Sequence, residues 1–402
     1  MTRPEITLGL IADDLTGALD AGVKFAQAGL ETVLVLQPGA GLEAPAQIVT
    51  TNSREGDGPT AVERVTEAVS WLSGRWFYKK IDSTMRGHVG LEVAAACEAI
   101  GLDKAVVCPA FIEEGRLVRD GQLWVGDQLL HRSPFAHDPF WPAATAEMAA
   151  LLGQPATHLS LAMVGEGAEA LAEAIRRAPT RLVTADAADN AHLDAIGRAA
   201  LLADALPCGS LGLARPWVAA LIGSRPAVPL PRPLGPGGPL LIVAGSRHPR
   251  TQEQVRQAVG RRGAARVRVS PAGAVREASV ARSLAAGQDV VIQPPAEVIA
   301  DPERRHALGL ALGDQAACAC AAPLGGLVIV GGETGAAVCQ ALGAVGIRIL
   351  GELAVGIPVG QLVGGLAPGL TVVTKAGGFG QADALVEIMD HFRDEKGTKH
   401  ER

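Results

Sequence analysis

The chain has 402 residues, of which 48% are hydrophobic, 19% charged and 3% aromatic, with a formal net charge of −6. The hydrophobic fraction excludes a disordered chain, 49 Gly and 26 Pro without a collagen-like period exclude a fibrous one, and the length predicts two domains. A single tyrosine and a mildly acidic balance give no footprint for nucleic acid or an anionic membrane, so the expected partners are small molecules.

From the N-terminus, ITLGLIA (6–12) reads as a strand that Asp13-Asp14 ends too early for a signal peptide. No apolar run reaches the roughly 18 residues of a membrane span, and a cytoplasmic protein is expected. Strands follow at TVLVLQ (32–37), QIVTT (47–51), WFYKKI (76–81), AVVCPA (105–110) and RLVTAD (181–186), with helices over 16–29, 59–73, 89–100 and 165–178. PAVPLPRPLGPGGP (226–239) holds six prolines and three glycines, suits neither helix nor central strand, and reads as a linker. Beyond it the strands are PLLIVAG (239–245), ARVRVS (265–270), DVVIQP (289–294), GLVIVGG (326–332), IRILGEL (347–353) and LTVVTKAG (370–377).

Near-continuous Val/Ile/Leu strands separated by helices predict an α/β fold of two domains, each a largely parallel sheet flanked by helices, with the active site in the interdomain cleft. The predicted divisions are a first domain over 1–225, a linker over 226–238, a second domain over 239–392 and a flexible tail over 393–402. Residues 1–225 carry 18 basic and 27 acidic side chains and residues 226–402 carry 18 and 15, which makes the second half the better host for a polyanion. Cys318-Ala319-Cys320 is the one close cysteine pair. Without a second pair or clustered histidines it reads as buried small residues and not as a zinc site.

Ligands of open α/β sheets collect beyond the carboxyl ends of strands, so the residues following each strand carry the functional reading. Strand 6–12 ends in Asp13 and Asp14, followed by Thr16 and Gly17. One carboxylate can cap the next helix, but two exceed what a cap needs, and a general base is favoured for one of them. Strand 76–81 runs into Lys79, Lys80, Asp82, Ser83, Thr84 and Arg86, a set of charges and hydroxyls suited to a carboxylate-bearing ligand. Thr51-Asn52-Ser53-Arg54 forms a third cluster after strand 47–51.

The second half is rich in glycine at its strand ends. The chain has 29 arginines against seven lysines, and between Lys104 and Lys396 the sole lysine is Lys375, in TKAGGFG directly after strand 370–374. A compact ammonium there suits phosphate, and Gly377, Gly378 and Gly380 let backbone amides approach it. Gly331 and Gly332 free the backbone of a second such turn, where Glu333 and Thr334 are expected to cap a helix over 335–342 and the site suits phosphate or ribose. Ser246 leaves strand 239–245, and Thr251 with Gln254 reads as a capping box. There is no Gly-Lys-Ser/Thr, no usable dinucleotide fingerprint, no His-Glu-x-x-His and no Gly-x-Ser-x-Gly.

With IADDLTGALDAG (11–22), TNSR (51–54), YKKIDSTMRG (78–87), CPAF (108–111) with GR and DG downstream, DPF (138–140), GSLGLA (209–214), VAGS (243–246), GGET (331–334) and KAGGFG (375–380) in this order, the sequence resembles the four-carbon acid sugar kinases. The resemblance implies a sugar-binding N-terminal and a nucleotide-binding C-terminal domain, and ATP-dependent phosphorylation of the terminal 4-hydroxyl of threonate, erythronate or 3-oxo-tetronate. It places the acid sugar against Asp13, Asp14, Arg54, Lys79, Lys80, Asp82, Ser83 and Arg86, and ATP against Ser246, the GGET segment and Gly378; Thr16, beside the two aspartates, is a further substrate-binding candidate. Arg86, Arg54 and a lysine are expected to hold the carboxylate and Asp13 or Asp14 to take the hydroxyl proton. Lys375 is expected to cradle the triphosphate, and Mg²⁺ to bridge its β- and γ-phosphates. A homodimer is left open. The chain departs from the family pattern at Ala354-Val355-Gly356-Ile357-Pro358 and at His88, where Asn is common. A nicotinamide-dependent acid-sugar dehydrogenase would lack its fingerprint here, and a non-catalytic acid-sugar sensor would not need the glycine-rich strand ends.

Overall fold

The structure, a computed structural model, describes residues 7–72, 74–138, 141–223, 229–270, 277–297 and 301–393; apart from Arg393, the predicted tail lies outside them. The chain divides into two compact units, one up to residue 227 and one from residue 228.

The strands of the first unit are β1 (Leu8–Ala12), β2 (Thr32–Val35), β3 (Ala46–Thr50), β4 (Trp76–Lys80), β5 (Ala105–Cys108), β6 (Arg116–Arg119), β7 (Gln122–Val125), β8 (Gln128–Leu129), β9 (Ala156–Leu159), β10 (Leu182–Ala185) and β11 (Leu206–Gly209). Eight of them form parallel neighbours in the order β2-β3-β1-β4-β11-β5-β10-β9, and β6-β7-β8 is a separate antiparallel sheet. All five residues of β1 are buried, as an unbroken apolar run requires when both faces of the sheet are covered. Ala12 lies opposite Thr50 on one side and Lys80 on the other, so β3, β1 and β4 finish level. Beneath them Phe25, Tyr78 and Trp217 pack with ring centroids 5.5 to 6.4 Å apart.

The second unit contains β12 (Leu240–Ala244), β13 (Ala265–Arg268), β14 (Val290–Gln293), β15 (Gly326–Val330), β16 (Gly346–Ala354), β17 (Ile357–Val363) and β18 (Thr371–Lys375), ordered β13-β14-β12-β15-β18-β17-β16. Pairing is parallel as far as β18, while β17 and β16 run antiparallel. Its core joins Ile242, Val255, Val328, Val373, Met389 and Phe392, and Leu234 of the Pro-rich segment is buried among them. Thr371 Oγ1 donates to the Leu234 carbonyl at 2.8 Å, and a Cβ on Gly235 would lie 2.0 Å from the Gly325 oxygen. This part of the segment is therefore docked on the second unit.

Several elements escape the sequence reading for identifiable reasons. Pro207 disguises β11, yet it is tolerated because β11 pairs with β4 only from Cys208 onward and so needs no amide on that side at Pro207. Gly356 (φ +73°) and Pro358 disguise the hairpin into β17. Contrary to expectation Cys318 is exposed and Cys320 half-buried, at the end of the helix Pro302–Ala319. Residues two apart on a helix point about 200° apart, so both cannot face the core.

Candidate active site

The loops after β3, β1 and β4 stand side by side because those strands are neighbours. Asp13 is buried and held by Arg54, whose Nε reaches its Oδ2 at 2.6 Å and whose NH2 reaches its Oδ1 at 2.9 Å. The same NH2 lies 2.9 Å from Asp14 Oδ1, and NH1 lies 3.8 Å from Asp82. Asp14 is the N-cap of the helix Leu15–Gln27, accepting from Gly17 N at 2.9 Å and Thr16 Oγ1 at 2.7 Å. The capping reading therefore holds for Asp14, and Asp13 is the carboxylate in excess of it. Lys80 is buried beside this cap: a Cβ on Gly17 would meet Asp14 Oδ1 at 2.5 Å and Lys80 Nζ at 3.0 Å, which reserves the position for glycine.

Asp82 accepts from Thr84 and receives Arg86 through Nε at 3.0 Å and NH2 at 2.7 Å; Arg86 NH1 lies 3.7 Å from Asp138. Ser83 is half-buried. Asn52 (φ 45°) and Met85 (φ 62°) hold the loops after β3 and β4 in the left-handed region, a strain that clusters at functional sites. Burial alone would raise the carboxyl pKa values. Arg54 and Lys80 overcome that for Asp14 and hold it below the usual range, and Arg86 with Arg54 holds Asp82 well below it. Arg54 is raised in return: burial disfavours its charge, but Asp13, Asp14 and Asp82 outweigh that.

Lys79 does not join this group. Successive strand residues face opposite sides of a sheet, so Lys79 and Lys80 diverge. Lys79 Nζ lies 2.7 Å from Glu92 Oε2 with both side chains out of solvent. Ser53 Oγ donates to Glu92 Oε1 at 2.7 Å, and Thr51, 2.7 Å from Ser53, donates to the Ala12 carbonyl at 3.0 Å. This is a buried network supporting the site from below. Its signal in the sequence was Glu92, the one charged side chain before Glu98 on an otherwise apolar helix, Val89–Ile100.

In the second unit β12, β15 and β18 are likewise neighbours, with Ala244, Val330 and Lys375 level. Ser246 N donates to the Val330 carbonyl at 3.3 Å and Gly331 N to the Lys375 carbonyl at 3.0 Å. A Cβ on Gly377 would lie 2.0 Å from Ser246 Oγ, and one on Gly245 would lie 1.9 Å from Thr334 Oγ1, so the three turns interlock through their glycines. Lys375 is fully buried with Nζ donating to the Ala376 carbonyl at 2.9 Å. Gly378 lies against His248, and Gly380 (φ +78°) closes the turn.

Two capping assignments change. The helix Gly332–Ala341 starts three residues earlier than expected, with Gly331 (φ 112°) as an N-cap that offers no side-chain bond. Glu333 is exposed and Thr334 buried in its first turn, and that turn has no side-chain cap. The helix Pro249–Arg262 is capped by His248 Nδ1, accepting from Arg250 N at 3.1 Å, which frees Thr251 and Gln254 for the Lys375 loop. Thr251 Oγ1 donates to the Gly377 carbonyl at 2.7 Å, and Gln254 Nε2 donates to those of Gln381 at 2.8 Å and Phe379 at 3.0 Å.

Residues 8–217 match a family described as a sugar-binding N-terminal domain, and residues 241–385 match one described as a nucleotide-binding C-terminal domain. A D-threonate kinase from Bordetella bronchiseptica is 35% identical, covering 98% of this chain and 99% of that one. The chain belongs to the four-carbon acid sugar kinase family. A 3-oxo-tetronate kinase from Cupriavidus necator is 33% identical to this kinase over 95% of the chain and 96% of its own length, and a D-erythronate kinase from Heliobacterium modesticaldum is 30% identical over the same shares. A solved Salmonella typhimurium structure superimposes with a TM-score of 0.77 at 25% identity, covering 94% of the kinase and 98% of that chain. Among its described residues no helix is long and apolar enough to cross a membrane.

Proposed function

We propose that this kinase transfers the γ-phosphoryl group of ATP to the terminal 4-hydroxyl of a four-carbon acid sugar of the threonate, erythronate or 3-oxo-tetronate type, in the cytoplasm. The observation that carries the reading is the Asp13–Arg54–Asp14 cluster where β1 meets its helix, an array of fixed charges around a place for a hydroxyl. The interlocked glycine turns and buried Lys375 of the second unit supply the complementary receptor for a triphosphate. Citrate is bound in a Bordetella bronchiseptica structure 34% identical over 97% of this chain with a TM-score of 0.50, which supports a carboxylate-bearing ligand; that protein is a domain-swapped dimer, which supports a homodimer here.

Between the two carboxylates, Asp13 is assigned the hydroxyl proton. Asp14 accepts three hydrogen bonds, from Thr16, Gly17 and Arg54, two of them on Oδ1, and its pKa is held low, which makes it a poor acceptor. Among the described residues Arg54 is the side chain that orients Asp13, which fixes its plane while leaving a lone pair on each oxygen. Phosphoryl transfer depends mainly on alignment and charge stabilisation, so a base that positions the hydroxyl suffices. Among the described residues no group of three or more His, Cys, Asp or Glu is arranged to hold a metal ion. Magnesium enters the proposal with the phosphates of ATP, as a cation that keeps several waters and needs only one or two carboxylates.

The test is ATP consumption over a panel of four- and five-carbon acid sugars with the wild-type chain and with Asp13→Asn. Loss of about 10²- to 10⁴-fold in kcat with an unchanged KM for ATP is expected for Asp13→Asn. Full activity of that variant removes Asp13 as the base, and no turnover of any four-carbon acid by the wild type overturns the substrate class.

A further inference from the structure

The cations that the sequence assigns to the substrate carboxylate are already engaged. Arg54 gives Nε and NH2 to Asp13 and Asp14, and Arg86 gives Nε and NH2 to Asp82. The side-on fork of each is therefore filled by an aspartate, and the donor left over, NH1, already faces a further carboxylate, Asp82 at 3.8 Å from Arg54 and Asp138 at 3.7 Å from Arg86. Lys80 Nζ donates to the Ile81 carbonyl at 2.9 Å and stands against the Asp14 cap.

Arg116 is in a different condition. It opens β6 directly after Gly115 (φ +68°), and its backbone exchanges two 2.9 Å hydrogen bonds with Phe111. Its side chain is 16% exposed, NH1 donates to the Glu114 carbonyl, and the guanidinium sits over the Phe135 ring, 5.5 Å from the centroid. Within 4 Å, the one carboxylate among the described residues is Glu114, at 3.9 Å. Its Nε is buried with no hydrogen-bond partner. It borders the charge cluster through the turn Pro134–His137: Phe135 of that turn lies under its guanidinium, and Asp138, which ends the turn, stands 3.7 Å from Arg86 NH1. Burial lowers its pKa, and Glu114 and Asp82 restore only part of that. A half-buried guanidinium at the edge of the charge cluster, with Nε unfilled, one face fixed by an aromatic ring and its nearest carboxylate beyond hydrogen-bond distance, has donors to spare for an anion.

We propose that Arg116 receives the carboxylate of the acid sugar, its Nε and one terminal nitrogen forming the paired bonds a planar carboxylate accepts. Arg54 and Arg86 then have the aspartates as their first partners and hold them in place. The assignment rests on reading the first unit as an acid-sugar site, and it makes Arg116 the residue that separates an acid sugar from a neutral four-carbon polyol.

The test compares wild type, Arg116→Met and Arg116→Lys by steady-state kinetics with D-threonate, D-erythronate and erythritol, and by calorimetric titration of the same acids without ATP. Arg116→Met is expected to raise the acid-sugar KM on the order of 10- to 100-fold, as loss of a charged hydrogen-bond pair does, with the KM for ATP unchanged and the preference for acid over polyol reduced. Arg116→Lys keeps the charge, loses the fork, and falls between. An unchanged acid-sugar KM in Arg116→Met, or in Arg116→Lys should the former not fold, overturns the assignment. Absence of turnover in the wild type strikes the underlying reading instead; acid binding that is present in wild type and lost in the variants then still upholds Arg116, and binding that persists in them refutes it.

Discussion

Lys79→Met separates two accounts of a residue that the sequence groups with the substrate and the structure groups with the scaffold. Lys79 and Glu92 are 2.7 Å apart with side chains 0% and 2% exposed, so removing the ammonium strands a buried carboxylate whose remaining side-chain partner is Ser53. Breaking a buried pair from one side costs about 3–5 kcal/mol, a large share of the roughly 5–15 kcal/mol that stabilises an ordinary domain. At a urea dependence of about 2 kcal/mol per molar, the midpoint should fall by on the order of 2 M. The five tryptophans (71, 76, 124, 141 and 217) all belong to the first unit, so urea unfolding followed by tryptophan fluorescence reports on that unit alone. The double variant Lys79→Met/Glu92→Leu removes both charges and should recover most of the loss. A Lys79→Met protein that unfolds like wild type yet binds acid sugar poorly would refute the network and return Lys79 to the ligand.

Gly17→Ala should leave stability within about 1 kcal/mol, since the helix-propensity gain offsets the lost cap, yet cut kcat/KM by at least about tenfold because the new methyl displaces the Asp14 carboxylate; unaltered kinetics would show that the Asp14 position is immaterial. Asp82 has a folded pKa well below 3.8. Its stabilisation is therefore fully present above the unfolded value of about 3.9 and lost as pH falls through the folded one, so the urea midpoint should drop below about pH 4, less steeply in Asp82→Asn. Equal slopes for the two proteins would contradict this. Gln254→Ala should raise the KM for ATP roughly tenfold by loosening the carbonyls of Phe379 and Gln381, leaving the acid-sugar KM alone; an unchanged KM for ATP counts against that fastening.

The strands were legible wherever apolar runs were continuous, as in Leu8–Ala12 and Leu240–Ala244, and so were the charged residues that follow them. Strand order was not, because nothing local says that β3, β1 and β4 are neighbours, and that adjacency alone brings Arg54 to Asp13. The side of the sheet to which Lys79 points follows from register, and the start of the helix Gly332–Ala341 follows from a glycine with positive φ; neither is fixed by composition. Arg116 was quoted only as half of the GR pair after CPAF and given no role, because its surroundings are assembled from Phe111, Glu114 and Phe135 across short elements with no periodic signature.

The level finish of three neighbouring strands in each unit has an evolutionary consequence. Asp13, Asp14, Arg54 and Asp82 in the first unit, and Ser246 and Gly377 in the second, sit on turns that begin where hydrogen-bonded pairing stops, so exchanging those turns leaves the ladders intact. Substrate preference can then drift among related acid sugars through changes at a few loop positions, with folding stability inherited unchanged from the sheets below.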